Sequence, residues 1–181
     1  HLKEQGELKD NMVVSTVMSN IGFYKAVEEN GLQSVKTAVG DRYVVEEMRK
    51  NDYSLGGEQS GHIVLMNYAT TGDGILTAVK LANIIKTSGK SLEELASEVN
   101  IYPQKLVNIK VVDKKTAMED AEILAECEKV EKELEGNGRI LLRASGTENL
   151  IRVMVEASSD ELTDKYCEQV AKIVREKFEV K

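Results

Sequence analysis

Residues Arg143, Ser145, Gly146, Thr147 and Arg152 combine two permanent cations, two hydroxyls and a glycine within ten positions. The run Ile140-Leu141-Leu142 before them is apolar enough for a buried strand. After them the chain alternates, with Ile151, Val153 and Val155 on one face and Arg152, Met154 and Glu156 on the other. Two such strands joined by a Ser/Gly/Thr/Asn loop predict a hairpin. If the loop is symmetric about Thr147 and Glu148, Arg143 and Arg152 stand directly opposite each other on one face. Like charges there repel, so the pair makes sense with an anion between them. Loop amides, hydroxyls and two guanidinium forks suit the three oxygens of a phosphate better than a carboxylate. The plainer reading is a polar hairpin tip in which Glu148 neutralises one arginine.

A second group is Gly56-Gly57-Glu58-Gln59-Ser60-Gly61-His62. Its glycines permit unusual backbone angles. Glu58 can accept from two neighbouring hydroxyls and Ser60 can donate or accept one more, the equipment for reading a sugar or other vicinal diol. His62 can donate to a phosphate or move a proton near neutral pH. An ordinary turn with a solvated Glu and a hydrogen-bonded His explains the same residues. Thr70-Thr71-Gly72-Asp73-Gly74 reads first as a helix N-cap and second as an anion cradle. Gly40-Asp41-Arg42 suits either a ligand-facing arginine or a surface Asp–Arg turn.

The elements that must position these groups fall into two sets. In the first hundred residues strand-like and helix-like segments alternate: strands at 12–18, 34–39 and 63–66, helices at 20–30 and 42–50, and a long helix from Gly74 with Ile75, Val79, Ala82 and Ile85 at helical spacing. Ser91-Leu92-Glu93-Glu94 matches a capping box. Alternation of this kind predicts a parallel or mixed sheet covered by helices. Beyond Pro103, the only proline, the order is a strand at 106–112, an amphipathic helix from Thr116 to about Leu134, the hairpin, and a last helix carrying Leu162, Tyr166, Val170 and Val174. That order describes an α+β unit, so the expected domains are 1–102 and 103–181.

Composition narrows the function. A chain of 181 residues with net charge -7 has no basic cluster to track nucleic acid, whereas a local arginine pair can still take one small phosphate. No apolar run approaches a membrane span, and no signal-peptide pattern opens the chain. Cys127 and Cys167 suit buried thiols of a cytoplasmic protein rather than a disulfide. His1 and His62 are the only histidines, and no spacing suggests zinc. The chain opens on His1, inside what looks like the tail of a helix, as a fragment of something longer would.

In this order the segments Thr37-Ala38-Val39-Gly40-Asp41-Arg42-Tyr43-Val44, Gly57-Glu58-Gln59-Ser60-Gly61-His62 and Arg143-x-Ser-Gly-Thr-Glu resemble the α-D-phosphohexomutase superfamily. The resemblance spans essentially the whole chain and implies its C-terminal half: most of the third, α/β domain with a mixed sheet, then a smaller α+β fourth domain. It implies a sugar phosphate as substrate, interconverted between its 6- and 1-phosphates through a bisphosphate. Gln59 is similar to the glucosamine branch, where the mannose and glucose branch more often has Met. A non-catalytic sugar-phosphate-binding module is the rival. By resemblance Glu58 and Ser60 hold sugar hydroxyls, His62 lies near the reacting phosphate, and Arg42 faces the cleft. Arg143, Ser145, Gly146, Thr147 and Arg152 grip the non-transferring phosphate. Ala144 and Asn149 stand where the family's loop often has proline. The family's phosphoserine loop, Thr-Ala-Ser-His-Asn-Pro, and its Mg²⁺ loop, Asp-x-Asp-x-Asp-Arg, do not occur in these 181 residues. The implication is that Mg²⁺ belongs to the longer parent and is not bound here.

Overall fold

In the computed structural model, which describes residues 1–180, the β-branched run Met12–Thr16 forms strand β1 in the interior of a four-stranded sheet. Strand β1 runs parallel to β2 (Gln33–Thr37) on one side and to β3 (Leu55–Gly57) on the other. Strand β3 then turns back antiparallel into β4 (Ile63–Leu65), which makes the sheet mixed. Helices α1 (Ile21–Glu29) and α2 (Asp41–Asn51) connect the parallel strands. Successive side chains of a strand point to opposite faces, and β1 is buried on both. Val14 packs with Val44, Met48 and Val64. Val13 packs with Leu2, Leu8 and Leu65 on the other face.

Helices α3 (Gly74–Ser88) and α4 (Leu92–Ala96) follow. Asp73 caps α3, accepting from the amides of Ile75 and Leu76 at 2.9 Å each. The Ser91 box is present: Ser91 Oγ accepts from Glu94 N and Glu94 Oε2 from Ser91 N. The stripe on α3 is helical as expected but uncovered, with Ile75 81% and Val79 64% exposed.

One strand was not legible as a strand. The glycine-rich turn expected after α2 begins instead with β3, because Gly56 and Gly57 pair with Val64 and Ile63. Glycine carries little strand preference, yet close backbone approach demands it here. A Cβ on Gly56 would stand 2.5 Å from Met48 Sδ and 2.7 Å from Val44 Cγ1. Helix α2 therefore seats against β3 only while position 56 is bare.

The chain divides into two compact units, His1–Ile101 and the residues from Tyr102 onward. In the second unit, β5 (Gln104–Lys110), β6 (Gly138–Ala144) and β7 (Leu150–Ala157) form an antiparallel sheet in the order β5-β7-β6. The single helix expected over 116–134 is two helices, α5 (Lys114–Met118) and α6 (Ala121–Glu133). Asp120 separates them by accepting from the amides of Glu122 and Ile123 at 3.1 Å. A short acidic side chain that bonds the backbone in this way starts helices rather than continuing them. Helix α7 (Asp160–Phe178) is capped by Ser159. Its Tyr166, Val170 and Val174 pack into a core with Ile109, Ile151 and Val153.

The face of β7 expected to be polar is covered as well. Met154 is 1% and Glu156 0% exposed, because β7 is the central strand and side chains of β5 and β6 flank it. Cys127 is half-buried and Cys167 buried, both as free thiols. Burial pushes each up to about 11, so neither is thiolate at neutral pH. No helix among the described residues is long and apolar enough to cross a membrane.

Substituting Gly56→Ala should cost roughly 1–3 kcal/mol through overpacking against Met48 and Val44. Urea unfolding of the chain with tyrosine fluorescence or circular dichroism measures it. A variant as stable as the parent would show that α2 yields freely.

Candidate functional site

Strand register creates the first site. Residues Arg143 and Arg152 are direct cross-strand partners of β6 and β7, as the symmetric loop requires. The Nε of each is buried and has no hydrogen-bond partner. An unpartnered buried N–H on a cation is costly. Burial, and then the neighbouring Arg152 charge, hold Arg143 below the usual arginine range, although a guanidinium remains charged at neutral pH. Among the described residues Glu148 forms no ion pair with either arginine, so neutralisation from the hairpin tip is not realised.

Four residues along the same face the chain solves the same geometric problem differently. Arg139 and Glu156 are also cross-strand partners. Arg139 Nε donates to Glu156 Oε2 at 2.7 Å and Nη2 donates to Oε1 at 3.1 Å. This bidentate pair satisfies a wholly buried carboxylate. At the other end of the face the acid is replaced by a second arginine, and among the described residues neither Nε finds a partner.

The loop between the strands is held from within. The Ser145 amide donates to Leu150 O at 2.9 Å. Ser145 itself is 3% exposed, and its Oγ accepts from the Glu148 amide at 3.4 Å. Gly146, Thr147, Glu148 and Asn149 are exposed. Among the described residues the amides of Gly146 and Thr147 have no protein partner, and a Cβ on Gly146 would meet nothing within 4 Å. The exposed loop amides and the Thr147 hydroxyl are donors of the kind that bind oxyanions. Sequence reasoning missed Lys114, whose Nζ donates to Ser145 O at 2.9 Å and Glu148 O at 3.3 Å. Nothing in the sequence couples positions 31 and 34 residues apart.

The second group is a tight loop on the β3–β4 hairpin. The Glu58 amide donates to His62 O at 2.9 Å and Gly61, at φ +97°, donates to Glu58 O at 3.0 Å. The Glu58 side chain is only 8% exposed. Its Oε1 accepts from the Gly40 amide at 2.9 Å, which ties the Gly40-Asp41-Arg42 turn to this loop. Its Oε2 lies 3.4 Å from Ser60 Oγ and 3.7 Å from His62 Nδ1. The Ser60 hydroxyl and His62 Nδ1 are 3.0 Å apart, so Glu58, Ser60 and His62 form one connected polar chain. One carboxylate oxygen is thus already engaged, and the remaining lone pairs are what Glu58 has to offer a diol. The Arg42 guanidinium lies with Glu46 at 3.6 Å and over the Tyr43 ring, and does not join the chain. The Thr70–Gly74 turn serves as the cap of α3.

Among the described residues no three His, Cys, Asp or Glu side chains converge to hold a metal ion. No step below runs through the Mg²⁺ that the family resemblance implies.

Comparison with known proteins agrees with this architecture. The family model described as phosphoglucomutase/phosphomannomutase, alpha/beta/alpha domain III, matches residues 1–102. The model for the phosphoglucomutase/phosphomannomutase C-terminal domain matches residues 106–173. The chain belongs to this family of phosphohexomutases. Among curated relatives, a phosphoglucosamine mutase from Anoxybacillus flavithermus is 61% identical over 178 residues, covering 98% of this chain and 40% of the relative. One from Leuconostoc mesenteroides is 61% identical over 176 residues, covering 97% and 39%. The chain thus spans about 40% of the length of the curated relatives it matches. Among solved structures, the Aspergillus fumigatus N-acetylphosphoglucosamine mutase superposes with a TM-score of 0.80 at 22% identity, over 91% of this chain and 38% of that one. The same enzyme in complex with GlcNAc-6P and magnesium gives 0.73 at 21%, over 91% and 41%. At such identity these structures establish the shared fold.

Because Glu156 is wholly buried, Arg139→Met should destabilise the chain by roughly 3–5 kcal/mol by leaving an uncompensated carboxylate. Adding Glu156→Leu should recover most of that loss, since an apolar pair of similar volume is often neutral. Denaturant midpoints of both variants check this, and no recovery in the double variant would refute it.

Proposed function

We propose that this chain supplies the sugar- and phosphate-recognition part of a cytoplasmic phosphoglucosamine mutase, which interconverts glucosamine 6-phosphate and glucosamine 1-phosphate through a bisphosphate. The observation that carries the reading is the Arg143–Arg152 pair with both Nε atoms buried and unpartnered. The amino-sugar assignment is supported by relatives of that name at 61% identity.

In this reading the hairpin takes the phosphate that is not transferred. Two guanidinium groups flank it and cancel its charge, while the Gly146 and Thr147 amides and the Thr147 hydroxyl bond its oxygens. The Ser145 hydroxyl, engaged with the Glu148 amide, shapes the loop as much as it serves the ligand. The Glu58–His62 loop takes the sugar. Glu58 Oε2 accepts from a sugar hydroxyl, Ser60 donates or accepts a second, and His62 carries a proton or hydrogen bond to the reacting phosphate through its ring. Arg42, 70% exposed in its side chain, would have to exchange Glu46 for an anionic substrate. Phosphoryl transfer also needs a nucleophile and charge neutralisation by metal. The residues of this chain account for positioning.

Two outcomes test the reading. Titrating inorganic phosphate into the chain should shift the amide resonances of Gly146 and Thr147, with affinity falling as salt is added. Arg143→Ala or Arg152→Ala should each cost roughly 1.5–3 kcal/mol in that affinity, while Glu148→Gln should not weaken it. Unmoved loop amides, or arginine variants that respond like the parent, would refute the anion site. Separately, the purified 181-residue chain should show no turnover of glucosamine 6-phosphate with a bisphosphate primer, since it contains neither family loop for serine nor metal. Turnover above background would overturn that division of labour.

A further inference from the structure

We infer that Lys114 is a positioning residue for the anion loop, acting through the backbone rather than on the ligand. The inference rests on the phosphate reading of the Arg143 hairpin and adds a residue to it. Lys114 Nζ donates to two loop carbonyls, Ser145 O at 2.9 Å and Glu148 O at 3.3 Å. Among the described residues it forms no ion pair, so this ammonium is spent on carbonyls although acids lie close by in sequence. The nearest, Asp113, is engaged as the cap of α5, its Oδ1 accepting from Lys115 N at 2.9 Å. That cap holds Lys114 at the first position of the helix, and α5 packs against β6 and β7.

Peptide geometry carries the argument onward. Among the described residues no peptide is cis. In a trans peptide the C=O of one residue and the N–H of the next point in opposite directions. Holding Ser145 O toward Lys114 therefore turns the Gly146 N–H away from it, and holding Glu148 O does the same for the Asn149 N–H. Among the described residues both amides are left without a protein partner, and both residues are exposed. The ammonium also polarises the two peptide groups it bonds, which makes their N–H ends stronger donors. The loop contains no proline to stiffen it, so the constraint comes from a side chain on another element.

The test compares Lys114→Met and Lys114→Arg with Arg143→Ala in the full 181-residue chain. Inorganic phosphate is the probe, and affinity is read from amide shifts at low and at high salt. Lys114→Met should bind phosphate about tenfold more weakly, the equivalent of one charge-assisted hydrogen bond. The loss should persist at high salt, Gly146 and Asn149 should exchange their amide hydrogens faster without ligand, and thermal unfolding should change little. Lys114→Arg, which keeps the donors, should retain part of the affinity, and it serves as the readout if Lys114→Met fails to fold. A loss that disappears at high salt would show that Lys114 contributes charge alone and would overturn the positioning role. So would parent-like affinity in Lys114→Met while Arg143→Ala is impaired, an outcome that leaves the anion site standing. If Arg143→Ala binds phosphate as the parent does, the site itself fails, which is a separate result.

Discussion

In an antiparallel ladder, residues directly opposite share a face and sit close enough to interact, so register decides which charges meet. Between Gly138–Ala144 and Leu150–Ala157 the register places Arg139 on Glu156 and Arg143 on Arg152. The first pairing satisfies a wholly buried carboxylate. The second leaves the Nε of each arginine without a partner among the described residues. Slipping one strand by one residue would send its two charges to the face occupied by Ile151, Val153 and Val155, where α7 supplies the core. The apolar core therefore enforces the charge conflict, and the Arg139–Glu156 pair, which forms only in this register, helps to pin it.

The first unit depends on a comparable constraint made of absence. Position 56 carries no side chain, so α2 can lie against β3, with Met48 and Val44 over the glycine. The start of α2 in turn delivers the Gly40 amide to Glu58 Oε1. Packing of one helix on one strand thereby holds the carboxylate that heads the Glu58–Ser60–His62 chain. Its remaining oxygen is directed toward Ser60, and the histidine ring is left more than half exposed.

Both sites follow the same physical plan. The candidate groups are supported by bonds to the backbone: Gly40 N to Glu58, the Ser145 amide to Leu150, and Lys114 to two loop carbonyls. Support of this kind organises each loop through main-chain groups. It is how a recognition surface stays organised before anything binds. Membership of the phosphohexomutase family gives this plan its context, as matches across both units show.

By itself the sequence determined the features that depend on short-range chemistry. Turn residues and alternation specify the hairpin and thus the facing arginines. Ser91 and Glu94 specify a capping box, and the order of β-branched and amphipathic runs specifies a mixed α/β unit followed by an α+β one. Tertiary structure decided what depends on neighbours distant in the chain. Gly56 and Gly57 are strand because they pair with Val64 and Ile63, and position 56 is bare where α2 approaches, which no local propensity encodes. The face of β7 bearing Met154 and Glu156 is buried because β7 lies between two strands. Asp120 divides one periodic run into two helices by bonding the amides of Glu122 and Ile123. The reach of Lys114 to Ser145 and Glu148 exists only once α5 packs beside the hairpin. Periodicity and turn chemistry act over a few residues, whereas close approach, burial and long side-chain bridges are set by which elements end up side by side.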